Sequence, residues 1–207
     1  MLALPDGAVI PWNDGKSKTF EEKLALPDVE DAFSIPYRSG AIQPVTDVDR
    51  DPGRIRLDPM FRATYGTAQQ VSIERVTIRG QSLPVHARAV EAFRRVAKRL
   101  DEAVAKDKTL DPYLRNLGGT FLQRNIAGTD RPSAHSWGVS IDINVKRSNY
   151  WQWQKGPIRW TNKIPQAIVD AFEAEGFVWG GRWYHYDTMH FEWRPELLDP
   201  ACLTAPH

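Results

Sequence analysis

Alternating apolar and polar residues predict two short β-strands in the second half of the chain, at residues 139–145 and 187–193. The first strand has Val139, Ile141, Ile143 and Val145 on one face and Ser140, Asp142 and Asn144 on the other. The second strand has Met189, Phe191 and Trp193 on one face and His190 and Glu192 on the other. Because the apolar faces must enter a core, the polar side chains are held rigidly on the opposite side.

Apolar residues at helical spacing predict one long helix and one short helix. The long helix would begin with Ser82 as its N-cap and Pro84 in its first turn. Its inward-facing residues are Val85, Ala89, Phe93, Val96, Leu100 and Val104. The short helix covers residues 165–175 and ends at Gly176. Its inward-facing residues, together with the one just before it, are Ile164, Ile168, Ala171 and Phe172.

The remaining segments carry weaker patterns. Residues 71–78 and 117–126 each predict a further strand. Residues 1 to about 65 are rich in Pro, Asp and Gly, which predicts irregular structure packed on the main domain. A short helix is predicted within this part, at residues 19–26.

Together these elements predict an α+β fold with a small, mainly antiparallel sheet and helices packed on one side. The functional side chains would lie on the exposed face of that sheet. We divide the chain into an irregular N-terminal extension at residues 1–80, a main domain at residues 81–200 and a tail at residues 201–207.

The aspartates between residues 47 and 58 partly match the ligand spacing of a calcium-binding loop. Asp47, Asp49, Asp51 and Asp58 occupy its first, third, fifth and twelfth positions. However, Pro52 stands at the sixth position, where the sharp turn needs Gly, and the last ligand should be Glu. The pattern favours a charged turn over a calcium site.

Composition and charge limit the kinds of partner that the sequence predicts. Hydrophobic residues make up 42% and charged residues 26%, as in an ordinary globular protein. Lys and Arg total 27 against 26 acidic residues, without a long basic run, which argues against nucleic acid as a partner. No apolar stretch is long enough to cross a bilayer, and the first residues lack the regions of a signal peptide. Cys202 is the sole cysteine, so no intrachain disulfide is expected.

The polar faces of the two strands carry a candidate metal site. His135 precedes the first strand, across a turn that Gly138 permits. If the strands are neighbours, His135, Asp142 and His190 converge, with Asp187 nearby. Two imidazoles and one carboxylate are a usual set for a catalytic zinc ion with an open fourth position, whereas a structural zinc would need four protein ligands. Any one of these residues alone would more simply be structural.

The motifs around these residues resemble those of the M15 zinc peptidases, which cut peptidoglycan stem peptides. The resemblance rests on Ser133-x-His135-x-x-Gly138-x-x-x-Asp142, on Gly176-Phe-x-Trp-Gly-Gly-x-Trp183, on Asp187-x-x-His190-Phe-Glu192 and on an upstream Gly118-Gly119 with Arg124. It covers roughly residues 113 to 196 and is similar to the branch of L-alanyl-D-glutamate endopeptidases. That branch has Asp at the position of the general base, where the D-alanyl-D-alanine dipeptidases have Glu.

The resemblance implies roles for five residues. His135, Asp142 and His190 would bind one Zn²⁺ per chain, and Asp187 would be the general base that takes a proton from water. Arg124 would stabilise the oxyanion of the tetrahedral intermediate. The implied activity is zinc-dependent hydrolysis of the L-Ala–D-Glu bond of a stem peptide. A D-alanyl-D-alanine carboxypeptidase is the enzymatic alternative, and a non-catalytic cell-wall-binding module is the alternative from another class.

Of the secondary candidates, Ser133, Glu192 and Trp183 each have a structural alternative. Ser133 would contact substrate or cap a turn, and Glu192 would orient a metal ligand or form a salt bridge. His185 would line the cleft, and Trp183 would belong to the core or to the wall of the cleft. Trp151 and Trp153 would border the groove. Such a substrate implies action outside the cytoplasm, while the oligomeric state stays open.

Overall fold

The computed structural model describes residues 1–5, 7–67, 70–126 and 128–203. Its helices are α1 (Phe20–Ala25), α2 (Val29–Phe33), α3 (Asp58–Tyr65), α4 (Val90–Lys106), α5 (Gln166–Glu173) and α6 (Pro200–Leu203). Its strands are β1 (Leu2–Ala3), β2 (Val9–Ile10), β3 (Ile73–Ile78), β4 (Gln81–His86), β5 (Ser140–Asp142), β6 (Phe177–Trp179) and β7 (His190–Trp193). The α+β class is confirmed, with three small antiparallel sheets in place of one.

The third sheet brings the two alternating motifs together. Its order is β5-β7-β6, and Asp142 of β5 lies opposite His190 of β7. Ile141 and Phe191 form the neighbouring pair in this register, and both are fully buried beneath the sheet. The first strand is shorter than predicted, because Val145 lies in a 3-10 turn and is 38% exposed. Its assignment to the core was wrong.

Helix α4 packs against α5 and against the β3–β4 sheet. Its residues Phe93, Val96 and Leu100 are fully buried, and the end of α5 near Gly176 (φ 85°) agrees with the sequence. The predicted start of the long helix was wrong, because Ser82 and Pro84 lie in β4, which pairs with β3 across a turn.

That turn explains the error. Arg79 and Gly80 both have positive φ, 48° and 76°, as a tight hairpin turn requires. Pro84 is tolerated in β4 because this strand lies at the edge of a two-stranded sheet, so the missing N–H can face away from the pairing with β3. The boundary that we drew after residue 80 falls in this turn, between two paired strands.

Residues 117–126 do not form the predicted strand. This part of the chain makes two isolated bridges, Gly119 with Asp142 and Asn125 with Pro132. The two contacts tie an irregular segment to the end of β5 and to the loop before His135. The segment therefore contributes to the site without belonging to a sheet.

The N-terminal part contains more regular structure than predicted. The helix expected at residues 19–26 is present as α1, with Thr19 and Glu22 forming a capping box. Contacts to the main domain include a hydrogen bond from Trp179 N to the Tyr37 hydroxyl, 2.8 Å, and one from Trp183 Nε1 to Pro52 O, also 2.8 Å. The N-terminal part is thus packed beside β6 and the segment that follows it.

The aspartates of residues 47–58 do not gather around one point. Asp51 accepts hydrogen bonds from Arg54 and His185, whereas Asp58 accepts from Arg56. These two carboxylates therefore have separate cationic partners, as in a charged turn.

Gly181 is predicted to tolerate no side chain. A Cβ at this position would lie 2.2 Å from Cζ2 of Trp179, a fully buried residue whose Nε1 donates to Thr188 O. We expect Gly181→Ala to lower the free energy of unfolding by about 1–3 kcal/mol, because overpacking forces the indole to shift. Thermal unfolding would measure this, and the smaller ring in a Trp179→Phe/Gly181→Ala double variant should recover part of the loss. Equal melting temperatures for Gly181→Ala and the parent would contradict the expectation.

Candidate metal centre

His135, Asp142 and His190 lie together, with one ligand atom of each within 4.8 Å of the other two. Asp142 is between the imidazoles: Oδ2 is 3.2 Å from His135 Nε2, and Oδ1 is 3.0 Å from His190 Nδ1. The two imidazole rings are 5.2 Å apart. Residues that are distant along the chain are therefore gathered as the alternating pattern predicted.

A short 3-10 helix (Ala134–Trp137) fixes His135. Ser133 caps this helix, and Gly138 ends it with the left-handed φ of 69°. His135 Nδ1 is 2.9 Å from Thr120 O, which fixes Nδ1 as the hydrogen-bond donor. Nε2 is buried and has no partner with hydrogen-bond geometry among the described residues, even though Asp142 is within ion-pair distance. Nε2 thus faces the Asp142 carboxylate.

Asp142 is held from both sides of its strand. It pairs with His190 of β7 on one side, and on the other side Gly118 N donates to Asp142 O and Asp142 N donates to Gly119 O. A Cβ at Gly118 would lie 2.9 Å from Cβ of Asp142, so glycine permits this close approach. The glycine pair noted in the sequence therefore supports the carboxylate.

The electrostatics of the cluster favour a cation between its members. Burial alone would lower the pKa of His190, but hydrogen bonds to Asp142 and Glu192 outweigh burial and raise it to about 10. Burial opposes ionisation of Asp142, but the two histidines keep its pKa well below the ordinary value. Burial also opposes ionisation of Glu192, but hydrogen bonding with His190 and the charge of Arg194 lower its pKa to about 2.

These residues fit a divalent metal ion. Buried carboxylates need compensating positive charge, which a protonated His190 provides by itself and a cation would provide in its place. The ion would leave both imidazoles neutral, as metal ligands must be. The unpartnered Nε2 of His135 and the set of two histidines and one aspartate match the donors that zinc prefers. The group could therefore hold a metal ion.

Asp187 lies in the turn just before β7. Burial raises the pKa of its carboxyl to about 7, and the charge of Asp142 adds to this, whereas His190 and Arg124 oppose it. The residue as a whole is only partly buried, but Oδ1 is buried and has no hydrogen-bond partner among the described residues. An unpartnered carboxylate oxygen beside the metal-compatible group can accept a proton.

A cleft of about 760 Å³ runs past the metal-compatible group. Asp142, Asp187 and His190 line it. Arg124 lines it too, and its exposed side chain makes no hydrogen bond or ion pair within the described part of the chain. Its backbone is fixed, since Ser133 N and the Ser136 hydroxyl both donate to Arg124 O. The backbone of Arg124 is therefore fixed, and its guanidinium has no partner among the described residues.

The secondary candidates also lie along this cleft. Ser133 is buried and its hydroxyl accepts from His135 N, which is a capping contact. Glu192 Oε2 is 3.5 Å from His190 Nε2, and Oε1 is 3.2 Å from Arg194 Nη1, so both predicted partners are present. Trp183 is buried and still lines the cleft, 5.8 Å from the His190 ring. His185 is paired with Asp51 and is outside the metal-compatible group.

Several cleft residues were missed in the sequence. One side of the cleft, which we call the N-terminal wall, consists of Glu21, Leu24, Ala25, Gly53, Arg54 and Arg56. Tyr150 also lines the cleft and forms a backbone bridge with Asp187, next to Trp151 and Trp153. No local pattern marks the N-terminal wall, because its residues face the cleft only once the segment packs on the main domain.

Comparison with known families supports the resemblance seen in the motifs. Residues 127–193 match the M15 peptidase family model described as D-alanyl-D-alanine carboxypeptidase. The matched residues contain the three members of the metal-compatible group and Asp187. Comparisons with curated proteins and with solved structures gave no match. Among the described residues, no helix is long and apolar enough to span a membrane.

Proposed function

We propose that the protein is a zinc-dependent peptidase that hydrolyses the L-Ala–D-Glu bond of peptidoglycan stem peptides, outside the cytoplasm. The observation that carries the proposal is that Asp142 and His190, which form the metal-compatible group with His135, line one cleft together with Asp187. A zinc peptidase needs a metal-ligand set with an open position and a general base beside it. A purely structural zinc site would not need an unpartnered carboxylate in an open cleft.

The roles of the residues follow from their positions. His135, Asp142 and His190 would hold the zinc ion, which supplies Lewis acidity to the carbonyl and to water. Asp187 takes the proton of the attacking water and passes it to the leaving amine. Arg124 lies in the same cleft and its guanidinium has no partner among the described residues, so it donates hydrogen bonds to the developing oxyanion. Glu192 accepts from His190 and orients its ring.

A second candidate is a D-alanyl-D-alanine carboxypeptidase, because the matching family model has that description. The presence of Asp rather than Glu at position 187 favours the endopeptidase, because the motif resembles that of the endopeptidase branch. Both candidates use the same metal set and base, so they differ in the bond that is brought to the cleft.

Digestion of a synthetic stem pentapeptide separates the candidates. We expect the zinc-loaded protein to release the N-terminal L-alanine fragment, detected by mass spectrometry, because the endopeptidase cuts after this residue. Release of the terminal D-alanine instead would favour the carboxypeptidase. Binding to purified peptidoglycan without new amino groups would refute both and favour a wall-binding module.

A further inference from the structure

Four arginines line the cleft, namely Arg54, Arg56, Arg124 and Arg131. Guanidinium groups concentrated in one cleft favour a ligand that carries negative charge. A stem peptide has several carboxylates, so the question is which arginine is available to bind one.

Two of the four are engaged in building the wall. Arg56 is buried, donates from Nε and Nη2 to Asp58 at 3.1 Å and also donates to Pro132 O. Arg131 Nη2 donates to Arg56 O at 2.7 Å and lies 3.5 Å from Asp58. These contacts connect the N-terminal segment to the loop before His135. Each of the two therefore has Nη2 tied to a backbone carbonyl at this junction, Arg56 to Pro132 O and Arg131 to Arg56 O.

Arg54 differs from them because one edge of its guanidinium is unused. Nη1 donates to Asp51, while Nε and Nη2 have no acceptor in the described parts of the chain. The side chain is 25% exposed. The Nε–Nη2 edge has two parallel N–H groups, which is the geometry that binds a carboxylate through both oxygens.

Asp51 makes this arginine rigid. The Asp51 side chain is fully buried, and besides Arg54 it accepts from His185 Nδ1 at 2.6 Å and from His185 N at 3.0 Å. His185 in turn packs edge-on against Trp151 at 4.9 Å. Arg54 is therefore fixed by the main domain, although it belongs to the N-terminal segment.

Arg54 lines the same cleft as Arg124, Asp187 and His190. Burial raises the pKa of the Tyr150 hydroxyl, the charge of Asp187 adds to this, and the charges of Arg54 and Arg124 oppose it. Arg54, Arg124 and Asp187 are thus all within electrostatic reach of one phenol ring in the cleft. A carboxylate bound by Arg54 would belong to a residue at or next to the scissile bond.

We propose that Arg54 of the N-terminal wall binds a free carboxylate of the substrate beside the scissile bond and selects for peptides that carry it. This inference rests on the proposed function and names the substrate class within it. A D-glutamyl residue that continues the chain through its side-chain carboxyl keeps its α-carboxylate free, next to the bond to L-alanine. Conversion of that carboxylate to an amide removes the charge and leaves the rest of the peptide unchanged.

The test compares two synthetic peptides that differ in this group alone, one with the free α-carboxylate and one with the amide. We expect the zinc-loaded parent to cut the carboxylate peptide with a kcat/KM about tenfold or more above that of the amide, as for a charged hydrogen bond. Arg54→Gln should bring the ratio close to one, mainly by slowing the carboxylate peptide. Because both substrates are measured with the same preparation, the ratio does not depend on how much of the variant is folded.

Arg115→Gln is the matched control, since Arg115 also pairs with an aspartate, Asp111, but lies outside the cleft. It should keep the ratio of the parent. An unchanged ratio in Arg54→Gln, or equal cleavage of both peptides by the parent, would overturn the role of Arg54 and leave the proposed function standing. Cleavage of neither peptide by the parent would overturn the proposed function and this inference with it.

Discussion

Asp187→Asn is expected to lower the rate of peptide hydrolysis by about a hundredfold to ten-thousandfold while zinc binding is unchanged. Asn has nearly the same shape as Asp but cannot take a proton from water, and general base catalysis contributes a factor of this size. The carboxylate is suited to the role because Oδ1 has no other partner among the described residues and the raised pKa, about 7, makes it a better proton acceptor.

Initial rates on the stem peptide and metal analysis of the same samples would check this expectation. Asp170→Asn is the matched control, because Asp170 is an exposed residue of α5 outside the cleft, hydrogen-bonded to Gln166. It should retain the full rate. A rate for Asp187→Asn within a few-fold of the parent would remove Asp187 from the mechanism.

His135→Ala is expected to abolish activity by removing the zinc. Loss of a residue that merely supports a metal ligand costs about 10–100-fold in affinity, so loss of a ligand should cost more. The parent should gain thermal stability when zinc is added, because an ion that binds the folded state alone stabilises it. The variant should gain much less.

Zinc titration followed by thermal unfolding would measure the difference. His86→Gln serves as the control, since His86 is a buried histidine outside the metal-compatible group, bonded to Tyr65 O and Arg88 N. It should lose some stability and keep its response to zinc. An equal response in His135→Ala would show that the ion binds elsewhere.

The sequence was sufficient for the parts of the fold that local periodicity determines. Ile141 and Phe191 were predicted inward, and both are buried in neighbouring strands because strict alternation leaves a short strand one way to bury its apolar face. The pairing of these strands placed Asp142 opposite His190. This is why the metal-compatible group could be predicted from residues that are distant in the chain.

Local sequence patterns gave wrong predictions where tertiary contacts or turn geometry determine the secondary structure. Ser82 and Pro84 match a helix start, but the turn at Arg79 and Gly80 reverses the chain and pairs them with β3. Residues 117–126 look like a strand, yet they make two isolated bridges, one to Asp142 and one to Pro132. Arg54 carries no signal at all, because its place in the cleft depends on how the N-terminal segment packs.

The N-terminal wall has a consequence for any attempt to trim this protein. A fragment limited to residues 127–193 would lack Thr120, whose carbonyl oxygen contacts His135 Nδ1. It would also lack Pro52, whose carbonyl oxygen accepts a hydrogen bond from Trp183 Nε1. The metal-compatible group and the N-terminal wall come from separate stretches of the chain. On the proposed function, exchange of the N-terminal stretch with that of another peptidase should therefore change substrate preference and leave metal binding unchanged. Such chimeras would show whether bond selectivity can be altered while the proposed catalytic residues stay the same.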